Sequence, residues 1–95
     1  MTTAAHTNRF TLGRLLATPG AIAKTEELGI PLLRMVARHV SGDWGDLDEH
    51  DKQANEDALS DGGRIMSAYV MSGVKFWVIT EADRSSTTIL LPEEY

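Results

Sequence analysis

The chain predicts an α+β fold of order β-ααα-βββ, with three helices packed on one face of a small antiparallel sheet. Three observations carry this expectation. Proline-start and glycine-stop punctuation recurs from residue 18 to residue 63, the apolar spacing changes from helical to extended at Arg64, and the last third is rich in β-branched and aromatic residues. The 95 residues are 42% apolar, enough for one core and too few for two, so residues 9–95 are expected to form a single domain. Residues 1–8 are polar and are expected to be a flexible N-terminus.

The elements follow in order. Arg9–Ala17 (RFTLGRLLA) places Phe10, Leu12 and Leu16 at even spacing with a glycine inside, which suits a short strand. Thr18 and Pro19 form an N-cap and first position for a helix that Gly29 stops. Pro31 opens a second helix, with Leu32, Val36, His39 and Val40 on one face and Arg34 and Arg38 opposite; Gly42 is its expected C-cap. Asp43-Trp44-Gly45 reads as a turn. Asp46 with Glu49 three residues on resembles a capping box for a third helix, which runs to about Ser60 and ends at Asp61-Gly62-Gly63. Arg64–Met71, Val74–Thr80 and Thr87–Leu91 then form a meander. Its middle strand is apolar on both pleat faces and is therefore expected to be central.

Charge is distributed unevenly. The formal net charge is −5, yet the segment Asp43–Asp61 alone carries −7, opposed only by Lys52, while the rest of the chain carries +2. Acids at Asp46, Asp48 and Glu49 suit the positive end of a helix dipole; Glu56 and Asp57, near the other end, do not. A concentrated field of this kind attracts a basic partner and speeds its encounter. Asp43, Trp44, Asp46, Glu49, Glu56 and Asp57 are accordingly the expected partner-binding residues, with Trp44 either an interface anchor or folded over the core. A pI near 5.0 argues against direct nucleic-acid binding by phosphate neutralisation.

Other chemistry is sparse. Without cysteine there is no disulfide, thiolate metal site or cysteine nucleophile, and with no signal-like start or membrane-length apolar run the chain is expected to be cytoplasmic. His39, Asp43, Asp46, His50 and Asp51 make a metal site conceivable, but Gly42 breaks the helical spacing of His39 and Asp43. An EF-hand starting at Asp46 fails, having Asp51 where glycine is needed and Asp57 where glutamate is usual. No metal or cofactor is expected. His39 is expected at the core edge, bonded to backbone or to a carboxylate such as Asp43, and Asp51 and Asn55 in a structural network with Arg38 or Arg64. No nucleophile elbow, phosphate-binding loop or dinucleotide fingerprint is present.

The stretches ATPGA at 17–21, RHVSGDWGDLDEHDKQAN at 38–55 and KFWVITEADRSSTTILLPEEY at 75–95 together resemble a family of short bacterial plasmid-related proteins, some of which carry the label of a type I restriction enzyme modification subunit. That label does not fit, because a methyltransferase subunit needs a cofactor-binding domain with an NPPF-like motif, and the chain has neither the motif nor the length. The resemblance implies association with plasmids, conjugative elements and prophages, whose small acidic proteins counter restriction and CRISPR systems. The function expected is therefore a non-enzymatic binding module of a mobile element. It would inhibit a host defence complex by presenting carboxylates, Glu49 and Glu56 foremost, to a basic channel. Two alternatives stand beside it: a nuclease-like or hydrolytic enzyme using His39, Asp43, Glu81 and Arg84, and a homodimeric toxin-like or regulatory domain.

Overall fold

Strand β1 begins only at Arg14, because Gly13 before it adopts a left-handed backbone (φ 63°) where an added Cβ would strike the carbonyls of Arg84 and Ser85. The computed structural model describes residues 8–95, so the flexible N-terminus expected over 1–8 lies, apart from Asn8, outside the described residues. The elements are β1 (Arg14–Ala17), α1 (Pro19–Leu28), α2 (Leu32–Val40), α3 (Glu49–Asp61), β2 (Ile65–Met71), β3 (Val74–Thr80) and β4 (Ser86–Leu90), followed by a 3-10 turn (Pro92–Glu94). The fold is mixed α+β.

The sheet is not wholly antiparallel. Its order is β1-β4-β3-β2, with β2, β3 and β4 antiparallel to their neighbours and β1 parallel to β4. Parallel pairing needs a crossover, and the stretch from α1 to β3 supplies a long one. β3, apolar on both faces, lies inside the sheet.

Side-chain alternation divides the sheet into two faces. Ser67, Tyr69, Phe76, Val78 and Ile89 point inward; Ser67 meets His39 of α2, and the other four join Ala21 of α1 and Met35 and Val36 of α2 in the main core. Met66, Ala68, Trp77, Ile79 and Leu90 alternate with them on the opposite face, where the 3-10 turn contacts β3. There the Tyr95 ring packs edge-on against Trp77, at 5.6 Å, and accepts a hydrogen bond at its hydroxyl from Arg64 (2.7 Å).

α1 and α2 cover the inner face over β4 and β3, while α3 meets that face at Ile65 of β2 through Ala58 and, unlike the other two, runs along the edge of its strand. The Asn55 amide makes the difference, donating to the Met66 carbonyl (2.7 Å) and accepting from the Met66 N–H (3.1 Å) as a neighbouring strand would. A second cluster joins Ala58 of α3 to Trp44 and Ile65, with Phe10, Leu47 and Leu59 around it. Helix ends follow the punctuation. Thr18 caps α1 by accepting from the Ala21 N–H, and Gly29 and Gly62 close α1 and α3 in left-handed conformations.

Candidate functional site: the acidic turn and helix α3

The N-cap of α3 is Asp48, not Asp46: its carboxylate accepts from the Asp51 N–H (2.8 Å), and Glu49 is the first helical residue. Asp46 is used elsewhere. Its carboxylate accepts from the Val70 N–H of β2 (2.8 Å), beside a parallel bridge between Gly45 and Ala68. Gly45 (φ 77°) allows this approach, since a Cβ there would collide with the Ala68 carbonyl and the Tyr69 ring. Around that bridge the Ala68 N–H donates to the Trp44 carbonyl (3.2 Å) and the Ala68 carbonyl accepts from the Asp46 N–H (2.6 Å), so Trp44, Asp46 and Asn55 together occupy the outward backbone groups of Met66 and Ala68 and the N–H of Val70.

The six residues expected to bind a partner therefore divide. Trp44 is only 5% exposed, stacks with Phe10 (6.2 Å) and donates its indole N–H to Glu56 (2.9 Å), so it packs inward and offers no surface. Glu56 also takes both nitrogens of the Arg9 guanidinium, at 3.0 and 2.8 Å. The hydrogen bonds from Arg9 and Trp44 hold the Glu56 carboxyl down to about 2. Asp43 accepts two bonds from Arg38 and one from the Gly45 N–H, and its carboxyl is lowered, chiefly by the Arg38 hydrogen bond. Glu49 and Asp57 remain on the solvent side, Glu49 within 3.8 Å of Lys52 and Asp57 accepting from Gln53. Asp48, Asp51 and Asp61 share that exposure.

His39 is fully buried, and its partners are hydroxyls instead of Asp43: Nδ1 lies 2.6 Å from Ser67 Oγ and Nε2 2.9 Å from Thr80 Oγ1. Thr87 donates its single hydroxyl proton to the Leu12 carbonyl (2.7 Å) and lies 2.6 Å from Thr80. Donor counting then orders the chain. Thr80 donates to Thr87, His39 donates to Thr80 from Nε2, and Ser67 donates to Nδ1, so every partner is satisfied by a neutral imidazole. Burial lowers the imidazole to about 4. The hydroxyls were legible only as polar breaks in strand-like sequence, and their inward register could not be known before the strand pairing was.

The residues of the alternative catalytic set are placed as follows. Among the described residues, no side chain of His39, Asp43, Glu81 or Arg84 bonds the side chain of another. Arg84 instead points its guanidinium at the carbonyls of Ala58 (3.2 Å) and Gly63 (2.6 Å), closing the end of α3. Asp51 and Asn55 form no network with Arg38 or Arg64; Asn55 turns to the backbone of β2. Asp48, His50 and Asp51 do bring ligand atoms within 4.8 Å of one another, but all three are exposed and Asp48 is already the helix cap. A groove of about 220 Å³ beside α3 is lined by Leu47, Asp51, Ala54, Asn55, Arg64 and Met66. Among the described residues, no helix is long and apolar enough to cross a membrane.

Comparison with protein-family models, with curated proteins and with solved structures found no match.

Proposed function

We propose that the protein is a binding module whose exposed α3 face docks a basic protein surface, and that this surface belongs to a host defence complex met by a mobile genetic element. One observation supports the docking face above the others. Asp48, Glu49, Asp51, Asp57 and Asp61 all face solvent, while the guanidiniums that would neutralise them, Arg9 and Arg38, are committed to Glu56 and Asp43. The −7 segment thus keeps an outward field, with Lys52 as the one cation on its helix. Glu49 and Asp57 are set about 12 Å apart along the axis at 1.5 Å per residue. The defence partner rests on the resemblance of residues 17–21, 38–55 and 75–95 to plasmid-related proteins.

The test compares two triple variants of equal net charge. E49K/D57K/D61K reverses the helix face, and E26K/E81K/E93K reverses exposed acids elsewhere. Anisotropy titration against a fluorescent oligolysine peptide, and capture from a host lysate, are read for both. Loss confined to the first variant, with unchanged circular dichroism, supports the reading. Equal loss in both reduces the effect to net charge and removes it.

A further inference from the structure

The two edges of the sheet are treated differently. Along β2 the outward N–H and C=O of Met66 are held by the Asn55 amide, those of Ala68 by the Trp44 carbonyl and the Asp46 N–H, and the Val70 N–H by the Asp46 carboxylate. Along β1, among the described residues, no strand or loop pairs with the outer edge. The N–H groups of Arg14 and Thr18 reach β4, donating to Ser85 and Ile89 at 3.0 Å, so by alternation Leu16 faces β4 as well. Leu15 and Ala17 therefore turn their N–H and C=O groups outward. Unpaired edges are usually blunted by charge, proline or a bulge; β1 has one such charge, Arg14 at its start, whose backbone faces β4, and none within Leu15–Ala17. The edge is instead apolar: Leu15 is 48% exposed, Leu16 41% and Leu33 of α2 67%. A groove of about 200 Å³ runs beside it, lined by Leu15–Ala17 of β1, Leu32, Leu33 and Val36 of α2, and Ile89 of β4.

We propose that this edge pairs with the β1 edge of a second copy, antiparallel about a two-fold axis through Leu16. That register is self-complementary. Leu15 and Ala17 of one copy exchange backbone hydrogen bonds with Ala17 and Leu15 of the other, while Leu16 meets its own counterpart as a non-hydrogen-bonded pair. Bulk matches as well as backbone: on the helix-covered face the small Ala17 leaves room beside the groove, and the Leu15 of the second copy enters it. Charge permits the approach. Arg14 comes opposite Thr18 and not opposite a like charge, and the −7 segment packs on β2, at the far edge of each sheet. A foreign peptide adding as a strand would use the same groups, but the two-fold match of Leu15 to Ala17 favours a second copy.

Sedimentation equilibrium over a concentration series is the first measurement. Twice the chain mass of 10.4 kDa is expected for the wild type. L15K/L16K is expected to weaken association by about tenfold or more, and V70K, at the covered edge, to leave it unchanged. A wild type that stays monomeric at every concentration overturns the proposal, as does dimerisation that survives L15K/L16K. Should L15K/L16K fail to fold, L16C tests the register independently, because the chain has no other cysteine. The expected Cα separation of about 4.5 Å across a non-hydrogen-bonded pair lies within disulfide range. Mild oxidation should then give a covalent dimer from L16C and not from V70C; no cross-link from L16C, or equal cross-linking from both, overturns the pairing.

Discussion

Protonating His39 forces Ser67 to withdraw the proton it donates to Nδ1, and puts a charge where burial excludes water. Burial holds this imidazole at about 4 in the folded protein, against an ordinary value of 6.5. A depressed value means the unfolded chain binds more protons between the two, so the stability it contributes is complete above about 6.5 and is lost as pH falls toward 4. The gap is worth roughly 3 kcal/mol. Urea unfolding midpoints measured across this window should fall for the wild type and stay nearly flat for H39Q. Glu56 titrates lower: its contribution is present above its ordinary 4.5 and is lost as pH falls to about 2. At 39% side-chain exposure the ion pair with Arg9 is screened by solvent. E56A should nonetheless cost about 1–2 kcal/mol, because it also strips the acceptor from the Trp44 indole. A structural Glu56 further implies that E56Q, at near-native stability, leaves binding to the basic probe close to that of the wild type. At this scale sequence patterning placed His39 on a buried face correctly, but it could not choose hydroxyls over Asp43 as partners. Sequence separation hides both the partnership of His39 with Thr80 and that of Arg9 with Glu56.

Within the elements, most helix boundaries were legible, since Thr18, Pro19, Gly29 and Gly62 act through their own backbone geometry. The start of α3 was not. Asp46 and Asp48 both satisfy cap chemistry, and the choice between them is made by β2, whose Val70 N–H claims Asp46. β1 was expected from residue 9 and begins at 14 because Gly13 turns the chain, and its parallel pairing with β4 depends on a crossover that no local pattern encodes. The segment after α2 thus works as an edge guard, and Gly45 is the residue it cannot lose. G45A adds a left-handed backbone strain to a collision with the Ala68 carbonyl. A loss of about 2 kcal/mol or more is expected, with amide exchange rising first at Ala68 and Val70. Arg84, itself left-handed at φ 61°, secures the other end of α3 through the carbonyls of Ala58 and Gly63. R84A should fray the last turn of α3, read as faster exchange there, without moving the pH window of His39.

At the scale of the whole molecule, charge and apolar surface are separated across one sheet: carboxylates gather at the β2 edge, and exposed leucines at the β1 edge. A net charge of −5 conceals this division, because the body outside Asp43–Asp61 is slightly basic. Joined through β1, two copies would form an eight-stranded sheet with an acidic helix beyond each end. The outer strands would then stand roughly 34 Å apart at about 4.8 Å per strand. Two acidic faces at a fixed separation bind a surface carrying repeated basic sites with an avidity that neither face has alone, commonly by a factor of about 10² or more. L15K/L16K should accordingly weaken binding to a densely oligolysine-coated surface far more than binding to a single free oligolysine peptide. E49K/D57K/D61K should weaken both. Surface plasmon resonance in the two formats separates these effects, and an equal loss in both formats for L15K/L16K would mean that the leucine edge touches the basic partner itself.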